Sequence, residues 1–222
     1  MTREIRLLVP VHVEGMRLEE DVQQFAGRGA RVSVAIFAKS AINEEGLLDE
    51  FIAVPEMVRL ALEADGEGVD ALIIDCMGDT GLAEMREAVA IPVYGPTQTS
   101  MAFTSALRQE FSFLTMLAEH HAEIAKLAKK YELDAFLGPG RSLGMSIPDA
   151  MVEVQRYEEA LLREAVGAVR QDGAEAIVLG CTSMSGMGPW VRQGLADAGI
   201  ADVTVVDPIP LAIQTAAEQS GA

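Results

Sequence analysis

One segment of the chain occurs twice, and this repeat constrains the fold more than any other feature of the sequence. Residues 68–81 (GVDALIIDCMGDTG) align without a gap with residues 173–186 (GAEAIVLGCTSMSG). A glycine, an alanine, a cysteine and a closing glycine coincide, and most positions between them carry similar side chains. Such self-similarity predicts that one α/β unit is built twice within the same chain.

Apolar runs alternate with segments of helical spacing along the chain. The runs predict strands at residues 5–11, 30–37, 71–74, 91–94, 111–117, 176–179 and 202–206. The periodic segments predict helices at residues 55–64, 82–89, 96–107, 119–131, 149–170 and 190–198, and a last one after Pro208. Because the strands are apolar throughout rather than alternating, the fold class is α/β with parallel sheets covered on both faces.

The two halves are predicted to be two similar domains. After each repeat the chain continues through helix, strand, proline and helix, with Pro96 and Pro208 in equivalent places. We therefore expect a first domain of residues 1–96 plus 208–222 and a second of residues 97–207, related by a pseudo-twofold axis. No Gly/Ser-rich linker separates them, which favours a packed boundary that the chain crosses twice.

Composition and charge narrow the class of partner. Half of the residues are hydrophobic, so a sizeable core is feasible, and the formal net charge is −17. An acidic surface argues against nucleic acid, because phosphate binding needs basic side chains. The amino terminus has charged residues and only a short apolar run, and the uncharged residues 88–107 contain turn-forming prolines. We expect a cytoplasmic protein without a membrane span, in which thiols are reduced.

The two cysteines, Cys76 and Cys181, end equivalent strands, at the edge where open α/β sheets bind ligands. A lone cysteine there is more often inert packing, but two in equivalent positions favour catalysis. A racemase needs a base on one face of a carbon and an acid on the other, and two opposed thiols supply both. A Gly/Ser/Thr-rich turn follows each cysteine, so we expect amide N–H groups to stabilise a thiolate. No CxxC spacing or histidine cluster suggests a metal.

The cysteine motifs resemble those of a known family. Residues 75–82 (DCMGDTGL) look like the first cysteine motif of hydantoin and allantoin racemases, within the aspartate/glutamate racemase superfamily, and residues 179–182 (LGCT) look like the second. The order of elements is similar across nearly the whole chain. The resemblance implies two flavodoxin-like domains with the active site between them, no cofactor, a small-molecule substrate and a homo-oligomer. It also implies that Cys76 and Cys181 each deprotonate one enantiomer.

Several positions depart from the family pattern. Residues 9–12 (VPVH) stand where many members have an Asn-Pro-Asn turn, and Thr115 is followed by Met116 rather than by a second threonine. Thr182 follows the second cysteine, as in amino-acid racemases. These positions contact the substrate in the family, so the resemblance implies that Pro10, His12, Thr115 and Thr182 do so here, and the substrate stays open.

The loops after the cysteines supply further candidates for substrate binding: Gly78, Asp79, Thr80, Thr182 and Ser183. Asp79 is placed to contact a substrate amide or to cap the following helix. Thr182 and Ser183 are placed to donate to a substrate oxyanion or to cap the next helix. His12 is either a substrate contact or an ordinary strand-end residue.

Three polar residues outside these loops have simpler interpretations. Arg141 is placed to hold a carboxylate or to form a surface ion pair. His120 and His121 are adjacent on a predicted helix, where neighbours point about 100° apart, so we expect an exposed helix face rather than a joint metal site.

The leading hypothesis is a cofactor-independent racemase or epimerase. It would act on a carbon next to a carbonyl, in a hydantoin-like cyclic ureide or an amino-acid derivative, with Cys76 and Cys181 as opposed acid and base. The alternatives within the same fold are a maleate isomerase-type enzyme, which uses one cysteine as a nucleophile, and a decarboxylase-type enzyme, which protonates an enolate. A binding module without turnover is the alternative from another class.

Overall fold

The computed structural model describes residues 2–11, 17–27, 29–41 and 48–218. It divides into two compact units, Met1–Pro96 with Ile209–Ala222, and Thr97–Pro208, which we call unit 1 and unit 2. Each unit contains one sheet and one of the two cysteines. The chain passes from unit 1 to unit 2 after Pro96 and returns after Pro208.

Two four-stranded parallel sheets form the centres of the units, and this confirms the predicted α/β class. The strand order is β2-β1-β3-β4 in unit 1 and β6-β5-β7-β8 in unit 2, so the same order occurs twice. It corresponds to the 2-1-3-4 order of flavodoxin-like sheets. The strands are β1 (Arg3–Val9), β2 (Ala30–Ile36), β3 (Ala71–Ile74), β4 (Val93–Tyr94), β5 (Phe111–Thr115), β6 (Arg141–Ser142), β7 (Ala176–Leu179) and β8 (Thr204–Val206).

The central strands are buried at every position. In β3, β5 and β7 no residue reaches solvent, because helices cover both faces of each sheet. The registers of the two units correspond, with Leu8 of β1 beside Ile74 of β3, and Leu114 of β5 beside Leu179 of β7. The two-residue strand β6 was not predicted, since a pair of half-buried polar residues carries no strand periodicity.

The helices follow the predicted order with three differences. They are α1 (Glu19–Gln23), α2 (Glu50–Gly66), α3 (Leu82–Ala88), α4 (Pro96–Ala106), α5 (His120–Lys130), α6 (Ile147–Val152), α7 (Val154–Arg170), α8 (Gly188–Asp197) and α9 (Pro208–Glu218). Helix α1 was not predicted. Helix α2 begins before Pro55, because the side chain of Asp49 caps it by accepting from the backbone N–H of Phe51.

The prediction of one long helix over residues 149–170 is wrong. The chain breaks at Glu153, whose backbone has φ −101° and ψ 54°, and two helices result. The first, α6, is capped by the hydroxyl of Ser146, which accepts from the N–H of Asp149. Helix α7 then presents Leu161, Ala165 and Ala168 to the sheet at helical spacing.

Each unit has its own apolar core. In unit 1, Ile209 and Ile213 of α9 are fully buried in a cluster with Ile5 and Leu7 of β1. In unit 2, residues of α7 and α8 cover β7. Burying an isoleucine or leucine side chain stabilises the fold by about 1.5–3 kcal/mol, so the residues of α9 bind that helix firmly to unit 1. Of the helices within the described ranges, none combines the length and apolar character needed to cross a membrane.

Gly180 provides a test of the packing of β7 against β5. A Cβ at this position would lie 2.7 Å from the carbonyl oxygen of Leu114, a backbone atom that already accepts the N–H of Gly180. We expect Gly180→Ala to lower the free energy of unfolding by about 1–3 kcal/mol, as measured by urea denaturation.

Gly66→Ala is the matched control, since a Cβ there meets no atom within 4 Å at the end of α2. This variant should be as stable as the wild type, or more stable by up to about 1 kcal/mol, because alanine is the better helix former. Equal stability of Gly180→Ala and Gly66→Ala would contradict the close approach of β7 and β5.

Candidate active site

The cysteines are positioned by hydrogen bonds that continue beyond the ends of β3 and β7. The N–H of Asp75 donates to the carbonyl of Leu8 at 2.9 Å, and the N–H of Gly180 donates to the carbonyl of Leu114 at 2.7 Å. Each bond holds the residue before a cysteine against the neighbouring strand. Cys76 in unit 1 and Cys181 in unit 2 therefore lie at the carboxyl edges of their sheets, both as half-buried thiols.

The thiol of Cys76 is held in its protonated form. Its pKa is raised to about 11, mainly by burial and also by the carboxylates of Asp79 and Asp75, against the opposing effect of the Gly78 N–H and the Thr80 hydroxyl. That hydroxyl donates to the sulfur of Cys76 at 3.8 Å. We had expected the amides to favour a thiolate. The donors are present, but the cost of desolvating the thiolate outweighs them.

Asp75 forms a buried ion pair with Arg17 next to Cys76. The Nε atom of Arg17 lies 2.5 Å from Oδ2 of Asp75, and its Nη2 atom lies 3.1 Å from Oδ1. The two side chains are only 7% and 2% exposed, so the pair is shielded from water and bidentate. Sequence reasoning missed it, because Arg17 is distant in the chain and stands in no recognisable motif.

Asp79 is buried against the chain that follows β4. Its residue is 4% exposed and its backbone is left-handed, with φ 48°. A Cβ on Gly95 would lie 2.5 Å from the carboxylate carbon of Asp79, so only glycine allows this approach. The alternative that Asp79 caps the next helix is wrong, since α3 has Gly81 as its N-cap and no side-chain cap hydrogen bond.

Cys181 has a different set of neighbours from Cys76. The hydroxyl of Ser183 donates to its sulfur at 3.0 Å, and residues Thr182–Met184 form a single 3₁₀ turn. Helix α8 begins at Gly188, two residues before the predicted start at Trp190. The contact with Ser183 takes the place that Thr80 has beside Cys76.

Asp207 holds the loop after Cys181 from the end of β8. Its Oδ2 atom accepts from the N–H of Gly186 at 2.7 Å and from the N–H of Gly188 at 3.4 Å. Unit 1 has the related arrangement with the roles exchanged, because there the carboxylate of Asp79 comes from the cysteine loop and meets Gly95 after β4. Asp207 was not among the predicted site residues.

Thr115 and His121 form an internal contact. The hydroxyl of Thr115 donates to the carbonyl of Leu117 at 2.8 Å and lies 2.9 Å from Nε2 of His121. Thr115 is fully buried, and His120 and His121 are half-buried. The expectation that both histidines lie on an exposed helix face is therefore wrong. Helix α5 packs against the end of β5, and no local sequence pattern predicts this packing.

Arg141 is engaged within unit 2. Its guanidinium binds Asp172 at 2.5 Å through Nε and Glu164 at 3.2 Å through Nη1. These bonds hold the pKa of the Asp172 carboxyl below its usual range. Of the two alternatives for Arg141, the structure supports ion pairing rather than a carboxylate site.

The remaining predicted residues divide between the units. Pro10 is buried at the end of β1, where its carbonyl accepts from the N–H of Ala41 at 3.1 Å. His12 lies outside the described residues. Gly78, Asp79 and Thr80 share the loop of Cys76, and Thr182 and Ser183 share the loop of Cys181, near Thr115 at the end of β5. Within the described ranges, no group of three or more His, Cys, Asp or Glu side chains is arranged to hold a metal ion.

Comparison with known proteins assigns the chain to a family. The model of the Asp/Glu/Hydantoin racemase family matches residues 17–216. The chain belongs to this family. It is accordingly an isomerase of the racemase type.

Curated relatives and a solved structure agree with this assignment. The chain is 32% identical to a hydantoin racemase of Rhizobium meliloti over 178 residues, which cover 80% of this chain and 71% of that protein. It is 30% identical to a hydantoin racemase of Pseudomonas sp. strain NS671, over 77% of this chain and 70% of the relative. The fold is similar to that of allantoin racemase from Klebsiella pneumoniae, with a TM-score of 0.83 and 23% identity over 97% of this chain and 86% of that one.

The protonation of Cys76 is testable through its reactivity. In a Cys181→Ala variant, Cys76 is the only cysteine, and its rate of alkylation by iodoacetamide follows the thiolate fraction. We expect this rate to keep rising above the ordinary thiol pKa of roughly 8.5. The half-point, which is the pH at which the rate is half of its maximum, should lie near 11. Thr80→Val should move the half-point higher, because it removes a donor to the sulfur.

The same protein unfolded in urea is the control, and its half-point should return to roughly 8.5. Only the folded protein disfavours the thiolate of Cys76. The contribution of this thiol to the free energy of unfolding is therefore fully present below the unfolded pKa of roughly 8.5. It is lost as the pH rises through the folded pKa of about 11. A half-point in the folded protein at or below the unfolded value would contradict this description of the site.

Proposed function

We propose that the protein is a cofactor-independent racemase of 5-substituted hydantoins or closely related cyclic ureides. The observation that carries the proposal is the pair of half-buried thiols, Cys76 and Cys181, at equivalent strand ends of two sheets with the same order. Each thiol has a hydroxyl donor, from Thr80 or Ser183. The two hydantoin racemases that are 32% and 30% identical to this chain over the aligned residues support the choice of substrate class.

The proposed reaction removes one proton from the C5 carbon of the ring and adds another to its opposite face. A thiolate removes the C5 proton, and the electron pair of that bond passes into the adjacent C4 carbonyl to form an enolate. The second thiol then donates its proton to the opposite face of C5, and the enolate electrons return to form the new C–H bond. The two cysteines end the cycle with their protonation states exchanged, and the reverse reaction restores them.

The raised pKa of Cys76 suits this chemistry. A thiol that holds its proton to about pH 11 is present as the acid at neutral pH. Once it has donated that proton, its thiolate is a stronger base than an ordinary one, which helps it to remove a weakly acidic C5 proton in the other direction. We assign Cys76 as the acid in the resting enzyme and Cys181 as its partner base.

The neighbouring groups have supporting roles in this proposal. The hydroxyl of Thr182 is the proposed donor for the oxygen on which negative charge develops, because the N–H of Gly78 and the hydroxyl of Ser183 already donate to the sulfurs of Cys76 and Cys181. Asp79 and Thr80 shape the loop around Cys76. The hydroxyl of Thr115 is already used by Leu117 and His121, so in this proposal Thr115, like Pro10, offers the substrate only apolar surface.

The proposal is tested by racemisation in deuterated water. One enantiomer of 5-benzylhydantoin should lose its optical rotation, and early in the reaction the product enantiomer should carry deuterium at C5 while the remaining substrate keeps hydrogen. Cys76→Ala and Cys181→Ala should each lower kcat/KM by about 10²–10⁴-fold, because each removes a general acid or base. Chiral chromatography with mass spectrometry measures both quantities.

The two cysteine variants test the mechanism only if they fold. Their circular dichroism and thermal unfolding are therefore compared with those of the wild type. Wild-type rates in both single variants would reject the two-cysteine mechanism. Release of carbon dioxide from an arylmalonate, or a covalent adduct between one cysteine and maleate, would instead favour the decarboxylase-type or the maleate isomerase-type reaction.

A further inference from the structure

Two buried hydroxyl groups in unit 2 are not used by the chemistry described so far. The hydroxyl oxygens of Tyr157 and Ser185 are shielded from solvent, and neither has a hydrogen-bond partner among the described residues. A buried polar group without a partner costs about 1–3 kcal/mol. Its presence in a folded protein therefore calls for a partner other than the described residues.

Tyr157 lies close to the second cysteine. It is in the first turn of α7 and packs against the same core cluster as Cys181. Its pKa is raised, first by burial and then by the charges of Cys181 and Asp207, which face its hydroxyl. The hydroxyl consequently keeps its proton at neutral pH and is available as a hydrogen-bond donor.

Ser185 lies in the loop that follows Cys181. It follows the 3₁₀ turn after Cys181 and immediately precedes Gly186, whose N–H donates to Asp207 at 2.7 Å. Asp207 therefore relates to both residues, through its charge effect on Tyr157 and through its hydrogen bond to the amide that follows Ser185.

The repeat explains why the Ser185 hydroxyl has no hydrogen-bond partner among the described residues. Ser185 occupies the position in the second segment that Thr80 has in the first. In unit 1 the hydroxyl of Thr80 donates to the sulfur of Cys76, whereas in unit 2 the sulfur of Cys181 receives its donor from Ser183 at 3.0 Å. The hydroxyl of Ser185, four residues after Cys181, therefore does not donate to the cysteine sulfur.

We infer that Tyr157 and Ser185 form a polar subsite beside Cys181 that binds one carbonyl oxygen of a cyclic ureide. A carbonyl oxygen has two lone pairs and accepts two donors, and both side chains are donors. This inference rests on the proposed function and adds to it two residues that select the substrate. An apolar substrate group at this place would leave both hydroxyls unpaired and would be disfavoured.

Tyr157→Phe and Ser185→Ala test the subsite. Each should lower kcat/KM for 5-benzylhydantoin by about 3- to 10-fold, the loss expected for one neutral hydrogen bond. Neither should lower the thermal stability, because each removes a group that has no partner among the described residues. Tyr131→Phe is the matched control, since it removes the same atom from the C-cap of α5, in neither cysteine loop, and should keep the wild-type kcat/KM.

Thio analogues identify the bound atom. Sulfur accepts hydrogen bonds weakly, so the loss caused by Tyr157→Phe should shrink to less than about 2-fold with either the 2-thio or the 4-thio derivative of the same hydantoin. Wild-type kinetics in Tyr157→Phe, or an equal loss with all three compounds, would overturn the subsite.

Binding separates this inference from the proposed function. If the wild type does not racemise hydantoins, the proposed function fails, and the Kd of 5-benzylhydantoin from calorimetry still tests the subsite. A Kd that is about 3- to 10-fold weaker in Tyr157→Phe than in Tyr131→Phe supports it. An equal Kd in the two variants, or no binding to the wild type, overturns it.

Discussion

The pairing of each cysteine strand with its longer neighbour is the constraint on which the site depends. In a parallel sheet all strands end at the same edge, so a residue that follows one strand is brought beside residues that follow the next. The bonds from Asp75 to Leu8 and from Gly180 to Leu114 continue the ladder by one residue. They fix the backbone directly before Cys76 and Cys181, and the loops after the cysteines are built from that fixed point.

The two copies of this arrangement differ in the residues that surround the cysteines. The position before the cysteine is Asp75 in unit 1, where it binds Arg17, but glycine in unit 2, where a side chain would strike the carbonyl of Leu114. The hydroxyl that contacts the sulfur comes from four residues later in unit 1, as Thr80, and from two residues later in unit 2, as Ser183. Two identical functional groups thereby have different surroundings.

The sequence was sufficient for the sheets but not for the groups that tune the thiols. The central strands were predictable because a short, wholly apolar run followed by a glycine-rich turn has few other interpretations. The break at Glu153 and the short strand β6 lack such patterns. The pKa of Cys76 depends on burial, and the contact of Thr115 with His121 depends on how α5 folds back. Tyr157 looks like an ordinary core residue in its helix, and only the unpaired state of its hydroxyl distinguishes it.

The protonated state of Cys76 has a further consequence for the durability of the protein. Hydrogen peroxide oxidises thiolates rather than thiols, so a cysteine with a pKa of about 11 is converted to sulfenic acid only slowly at neutral pH. Cys76 is therefore protected by the same burial that makes its thiolate a strong base. Accessible sulfur, such as that of Met151, which is 49% exposed, is the easier target for oxidation.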